Sequence, residues 1–246
     1  MYKGLFISFE GIDGTGKSTQ VKLLAKHLES LGHALYITKE PGDAKSGSGV
    51  GIGVRSLLFG TPGTKNLGPG VGDLLFLADH LQNTHDIRAA LQKGKIVLCD
   101  RYADSQFAYS ASATKKAPKW ANILFAEHFG PTPDMTVLFV VRGEIDYKHS
   151  NFEDISWALT RANARRGDEA GKQDGKAWND VEEQRKIQDA YRFNLRPQNR
   201  TFLMNIWEHT TPEIIHDQIL TEVLHRLAGQ GSSPQLVLDI PEQQVA

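Results

Sequence analysis

Apolar residues along the chain fall into two alternating patterns. Five short runs are apolar nearly throughout, at residues 4–9, 34–38, 96–99, 136–141 and 201–206, as strands buried on both faces of a parallel sheet are. Between them apolar positions recur at helical spacing. The clearest cases are residues 17–31, with Val21, Leu24, Ala25, Leu28 and Leu31, and residues 71–91, with Leu74, Leu77, Ala78, Leu81, Ile87 and Leu91. Gly32 and Gly94 close these two helices. Further helical patterns cover residues 103–129, with a polar break at 114–118, two segments between 155 and 195, and residues 212–227. Residues 42–70 are dense in glycine and read as a flexible loop around a short helix at 54–59, not as a linker, because no second core follows. Residues 165–175 are too polar to pack and read as a mobile loop of the kind that closes over a ligand.

The pattern predicts an α/β fold with a parallel five-stranded sheet and helices on both faces. One domain spans residues 1–228, with a mobile lid at about 160–177, and a loosely held tail covers 229–246, where Leu236-Val237-Leu238 offers an edge strand.

The turn after the first run is Glu10-Gly11-Ile12-Asp13-Gly14-Thr15-Gly16-Lys17-Ser18-Thr19, which matches G-x-x-x-x-G-K-[ST] in its expected setting of strand, tight loop and helix. Glycines there let successive N–H groups turn inward at a helix N-terminus, where partial positive charge favours an anion. Gly11, Ile12, Asp13, Gly14, Thr15, Gly16, Lys17, Ser18 and Thr19 are therefore candidate ATP-binding residues. Lys17 is placed to reach the β- and γ-phosphates, and the Ser18 hydroxyl to ligate Mg²⁺. The fold is thus of the P-loop NTPase type.

Composition narrows the setting. The formal net charge of −1 gives no general attraction to nucleic acid or to an anionic membrane, so any basic site must be local. No charged-then-apolar leader and no spanning apolar run is visible, and a single cysteine, Cys99, excludes an intrachain disulfide. A cytoplasmic enzyme is expected. Cys99 reads as a buried inert thiol, and the nine histidines show no metal-ligand spacing, so no zinc is assigned.

Cationic residues gather at strand ends (Lys39, Arg55, Arg101) and in the polar segment (Arg161, Arg165, Arg166, Lys172). Such an arrangement suits two anions brought together. An acceptor that is itself a phosphate is already ionised at neutral pH, so transfer to it needs positioning and positive charge but no general base. The pattern points to a nucleoside monophosphate kinase using ATP and Mg²⁺.

The residues from Phe9 to Gln20, the turn Lys39-Glu40-Pro41-Gly42, Val54-Arg55-Ser56-Leu57-Leu58, Asp73-Leu74-Leu75-Phe76-Leu77-Ala78, the run from Gly94 through Asp100-Arg101-Tyr102 to Tyr109, and Ala158-Leu159-Thr160-Arg161 resemble the thymidylate (dTMP) kinase family over roughly residues 4–195. The resemblance implies phosphoryl transfer from ATP to dTMP, giving dTDP, and a homodimer. It implies that Asp13 sits beside the acceptor's 3′-hydroxyl and the metal, and that Arg101 and Arg55 hold the acceptor phosphate with Lys39 and Pro41 alongside. It also implies that Phe76 stacks on the pyrimidine while Gln106 and Tyr109 line base and sugar. Lys17, Asp13, Arg101, Arg161 and Arg165 would be catalytic, and Ser18 and Asp13 would hold Mg²⁺.

Two departures stand out: Gly14 occupies a position where some members have Arg, and His80 stands where the family usually has an Arg facing the base. His80 is expected to face the base too, and motivates dUMP or a 5-modified dUMP as an alternative acceptor. A deoxynucleoside kinase, with Glu10 or Asp13 as base, and a non-catalytic ATP-binding module are the other readings.

Overall fold

The computed structural model describes residues 4–60, 67, 70–112, 123–124, 126–143, 154–170, 180–195 and 199–229, and of residues 59–60, 111–112, 165–170 and 194 it describes the backbone alone. Strand β1 (Phe6–Glu10) is buried at every position and forms the middle of a five-stranded sheet. β2 (Leu35–Lys39), β3 (Ile96–Asp100), β4 (Met135–Val141) and β5 (Thr201–Ile206) complete it in the order β2-β3-β1-β4-β5, all parallel. β1 pairs with β3 on one side (Phe9 opposite Asp100) and β4 on the other (Glu10 opposite Leu138), so the connections beyond its carboxyl end diverge and leave a crevice there.

Period-2 alternation sends β1 side chains to two different layers. Ile7 and Phe9 pack on helices α1 (Lys17–Ser30) and α7 (Pro212–Leu227), with Leu24, Leu28, Val137, Phe139, Ile215 and Ile219. On the opposite face Phe6 meets α3 (Val71–Gln92) through Ile87 and Leu91. α4 (Ala103–Ser112) and α6 (Val181–Leu195) cover the remainder of that face, over Leu138 and Val140. Glu10, on the same side as Phe6, is thereby carried beneath α4. α7 starts where its signals lie, with Thr211 accepting from the Ile214 N–H and Pro212 in the first turn.

Two expectations are corrected. The short helix is α2 (Gly49–Arg55), capped by Ser48, and it runs on into a π-helical turn at Ser56–Gly60. Its glycines carry no apolar periodicity, which is why a helix centred on 54–59 looked better. Second, α5 (Ser156–Ala170) continues through residues 165–170, which the sequence reading assigned to a loop. Ala, Arg and Glu are good helix formers by intrinsic propensity. Residues 171–179, and the proposed edge strand at 236–238, lie outside the described residues.

Candidate active site

Gly11, Gly14 and Gly16 have φ of 135°, 85° and 92°, so the loop between β1 and α1 uses backbone conformations that side chains resist. At Gly14 the space is also filled, since a Cβ would stand 1.8 Å from the Ala158 carbonyl oxygen of α5. An Arg side chain has no room there. Gly16, which opens α1, has no side chain to cap the helix, and that leaves the first-turn N–H groups for an anion. Lys17 bends back over the loop, donating to the Ile12 carbonyl at 2.7 Å and approaching Thr15 Oγ1 at 3.4 Å. Burial, and then the charge of Arg101, pushes its ammonium down to about 7, against the pull of Asp13, Asp100 and Glu10.

Arg101, the first residue after β3, is the only described non-glycine residue with positive φ, at 72°. Its guanidinium pairs with Asp13 at 2.5 Å, donates to Tyr191 Oη at 3.2 Å, and lies 5.3 Å from the centre of the Tyr109 ring. Thus the motif loop and the end of β3, widely separated in sequence, form one charged cluster. Behind it Glu10 accepts from the Tyr102 N–H at 2.8 Å and from Ser105 Oγ at 2.6 Å, and Ser105 also meets Tyr191 Oη at 2.7 Å. Glu10 is fully buried and its carboxyl is pushed up to about 8, by burial first and the neighbouring Asp104 second. With both oxygens engaged and no exposed surface, Glu10 is not placed to take a proton from a substrate hydroxyl.

On the other side of the crevice, Lys39 ends β2 next to Asp100 and forms an ion pair with Asp43 at 3.0 Å. Arg55 folds back onto the same turn, donating to the carbonyls of Pro41 (2.9 Å) and Gly42 (3.1 Å). Phe76 is half-buried on α3, and one turn earlier Asp73 accepts from Gln106 Nε2 at 2.9 Å, which ties α3 to α4 beside Tyr109. Arg161 lies over the Trp157 ring at 5.4 Å on α5. The side chains of Arg165 and Arg166 lie outside the described residues.

His80 does not face the crevice. Its ring has no exposed surface, with Nδ1 on the Glu40 carboxylate at 3.0 Å and Nε2 on the Phe129 carbonyl at 3.2 Å. His80 lies seven positions, about two turns, beyond Asp73 on α3, where β2 turns past at Glu40; local sequence could not show this pairing. The sequence places Asp100 with Arg101 as a charged pair facing the crevice at the end of an apolar strand, without giving Asp100 a partner or role of its own. In the structure Asp100 accepts a hydrogen bond from Ser18 Oγ, a partner that lies across the fold and that the strand-end position alone does not name.

Ser18, Asp100 and Asp13 supply a hydroxyl and carboxylates, the hard oxygen donors that suit Mg²⁺. Among the described residues no three His, Cys, Asp or Glu side chains gather as a self-sufficient metal cage.

Sheet order, motif loop and opposed cationic clusters define a P-loop nucleotide-binding protein of the kinase type. A thymidylate kinase family profile matches residues 9–219. Among curated proteins, thymidylate kinases of Bifidobacterium longum (42% identical over 119 residues, 47% of this chain and 56% of that one) and Syntrophotalea carbinolica (49% over 109 residues, 44% and 48%) are similar. So is that of a Bradyrhizobium species, 38% identical over 193 residues, 77% of this chain and 76% of the relative. The chain spans about half the length of the first two relatives and three quarters of the third. The chain belongs to the thymidylate kinase family. No helix of the described residues is long and apolar enough to cross a membrane.

Proposed function

We propose that the protein transfers the γ-phosphoryl group of ATP to the phosphate of dTMP, giving dTDP and ADP. The observation that carries this reading is the Asp13–Arg101 pair set against Lys17, with Glu10 sealed behind it. The site offers cations to two phosphates and, among the described residues, its buried carboxylate Glu10 has both oxygens engaged, which suits an acceptor that needs no base. That weighs against a deoxynucleoside kinase.

In this reading the motif loop and Lys17 hold the ATP phosphates. Arg101 and Arg55 take the acceptor phosphate, with Lys39 and Pro41 shaping the turn beside it, and Asp13 orients Arg101. Phe76, Gln106 and Tyr109 receive the base and sugar. Arg161 and Arg165 on α5 bring charge to the transferring group. Ser18, Asp100 and Asp13 would hold Mg²⁺, which when bound offsets phosphate charge. The enzyme works in the cytoplasm as a homodimer, whose interface uses the exposed Leu74 and Leu81 of α3 with Val50 and Ile52 of α2. Light scattering that gives a single-chain mass at every concentration removes the dimer.

The test is ADP release with ATP and Mg²⁺ against dTMP, dUMP, 5-hydroxymethyl-dUMP, dCMP, dGMP and thymidine. The expected result is a lead for dTMP of about 100-fold, a difference of ~2.7 kcal/mol in transition-state binding. A lead for thymidine overturns the absence of a base, and no turnover at all favours a binding module.

A further inference from the structure

The loop that carries Lys39, Pro41 and Arg55 is poorly built to hold itself in place. Its helix α2 is seven residues long, GVGIGVR, with three glycines, and glycine is the weakest helix former after proline. What fixes it comes from α3. Asp79 Oδ1 accepts from Ser48 Oγ at 2.8 Å, and Ser48 Oγ in turn caps α2 by accepting from the Gly51 N–H at 2.8 Å. Asp79 Oδ2 accepts from the Gly42 N–H at 3.2 Å, and the Gly42 carbonyl accepts from Arg55 Nε at 3.1 Å. Gly51 lies so close that a Cβ would stand 2.4 Å from Asp79 Oδ1. One carboxylate thus holds the turn and the helix cap between which Arg55 is folded.

The neighbouring residue secures the other end. Glu40, directly after β2, accepts from His80 Nδ1 at 3.0 Å and Asn83 Nδ2 at 2.8 Å, and Asn83 Oδ1 accepts from Thr38 Oγ1 at 2.6 Å. His80 Nε2 meets the Phe129 carbonyl at 3.2 Å, which Tyr102 Oη also approaches at 2.8 Å. A carboxylate and a carbonyl are both acceptors, so the two contacts favour a proton on each ring nitrogen and raise the proton affinity of His80 against the effect of its burial. A protonated His80 offsets the repulsion between two carboxylates, Glu40 and Asp79, at the base of the loop.

We propose that Asp79 and His80 are positioning residues for the acceptor side of the site: together they clamp the segment from Glu40 to Arg55 onto α3 and hold Arg55 and Lys39 ready for a phosphate they do not themselves touch. The proposal rests on the reading of these cations as the acceptor-phosphate site. It gives a task to the Asp79-His80 pair, whose ring the structure withdraws from the base.

The test is steady-state kinetics with dTMP and ATP for the native chain and for Asp79→Asn, Ser48→Ala, His80→Gln, Glu40→Gln and the His80→Gln/Glu40→Gln pair. Loosening the loop raises KM for dTMP by ~10-fold in Asp79→Asn, since small misplacement of a positioning group costs one to two orders of magnitude, and leaves KM for ATP within about twofold. Ser48→Ala, which removes one hydroxyl and is expected to fold, shifts the same constant in the same direction by less. His80→Gln and Glu40→Gln each raise it, and the pair raises it by less than the product of the two, because neither buried charge is then left alone. A purely structural role lowers the active fraction, and with it apparent kcat, at unchanged KM. Unchanged KM for dTMP in Ser48→Ala and in every other folded variant, or equal rises for dTMP and ATP, overturns the clamp. If the native chain does not phosphorylate dTMP, it is the acceptor reading that fails, before any variant is compared.

Discussion

Lys17 lies against the phosphate loop with an ammonium pushed down to about 7, chiefly by burial and secondarily by Arg101. A triphosphate replaces that environment with several negative charges and favours the charged form. Near pH 8 about nine in ten molecules of the free protein then hold a neutral amine, while the complex holds an ammonium, so binding takes up roughly 0.9 proton. The sign follows directly: ATP affinity is greatest below the free-state value and weakens as pH rises through it, by about tenfold, or ~1.4 kcal/mol, for each further unit. Stability of the free protein moves the other way. Folded Lys17 binds its proton less tightly than unfolded Lys17, so its unfavourable contribution is full below about pH 7 and is relieved as pH climbs from there towards 10.5.

Titration calorimetry of a non-hydrolysable ATP analogue at pH 8, in phosphate and in Tris, reads the proton count from the dependence of heat on buffer. Lys17→Gln removes the effect and leaves any contribution from Glu10, which also titrates near this pH, as a measured background. A heat independent of buffer in the native protein, together with a flat Kd between pH 7.5 and 9, refutes the argument.

Two further changes probe geometry. Gly14→Ala puts a methyl group 1.8 Å from the Ala158 carbonyl on a residue with φ of 85°, so a loss of at least ~1 kcal/mol, and with it a fall in Tm of several degrees, is expected in a thermal melt; an unchanged Tm means that α5 does not press on the loop. Arg101→Lys keeps the charge and loses the fork shared by Asp13 and Tyr191, and kcat/KM for dTMP is expected to drop by about 100-fold with KM for ATP little changed; near-native kcat/KM would move the acceptor phosphate elsewhere.

Much of the architecture was legible because it is local. The apolar runs became strands within a residue or two, β5 and α7 at their predicted ends; burial on both faces gives β1, β3 and β4 a continuous apolar signature, while the edge strands β2 and β5 are partly buried. The motif loop was legible for the same reason, with strand, loop and helix consecutive. What escaped the sequence depends on contacts across the fold. Glu10 engages Ser105 only because β1 and α4 stack, and His80 pairs with Glu40 only because α3 lies along the end of β2. A histidine that a family resemblance sets opposite the base invites that role. Nothing in the chain nearby says that the ring is turned inward.

The left-handed backbone of Arg101 has a consequence for what this position can become. Its φ of 72° is a conformation that glycine adopts freely and an arginine adopts at roughly 1 kcal/mol. The fold alone would favour glycine or asparagine there, whereas the chemistry asks for a guanidinium. Selection for a sturdier protein and selection for a faster one therefore pull in opposite directions at a single residue, and a chain that had lost its activity would be free to drift towards the amino acid the backbone prefers.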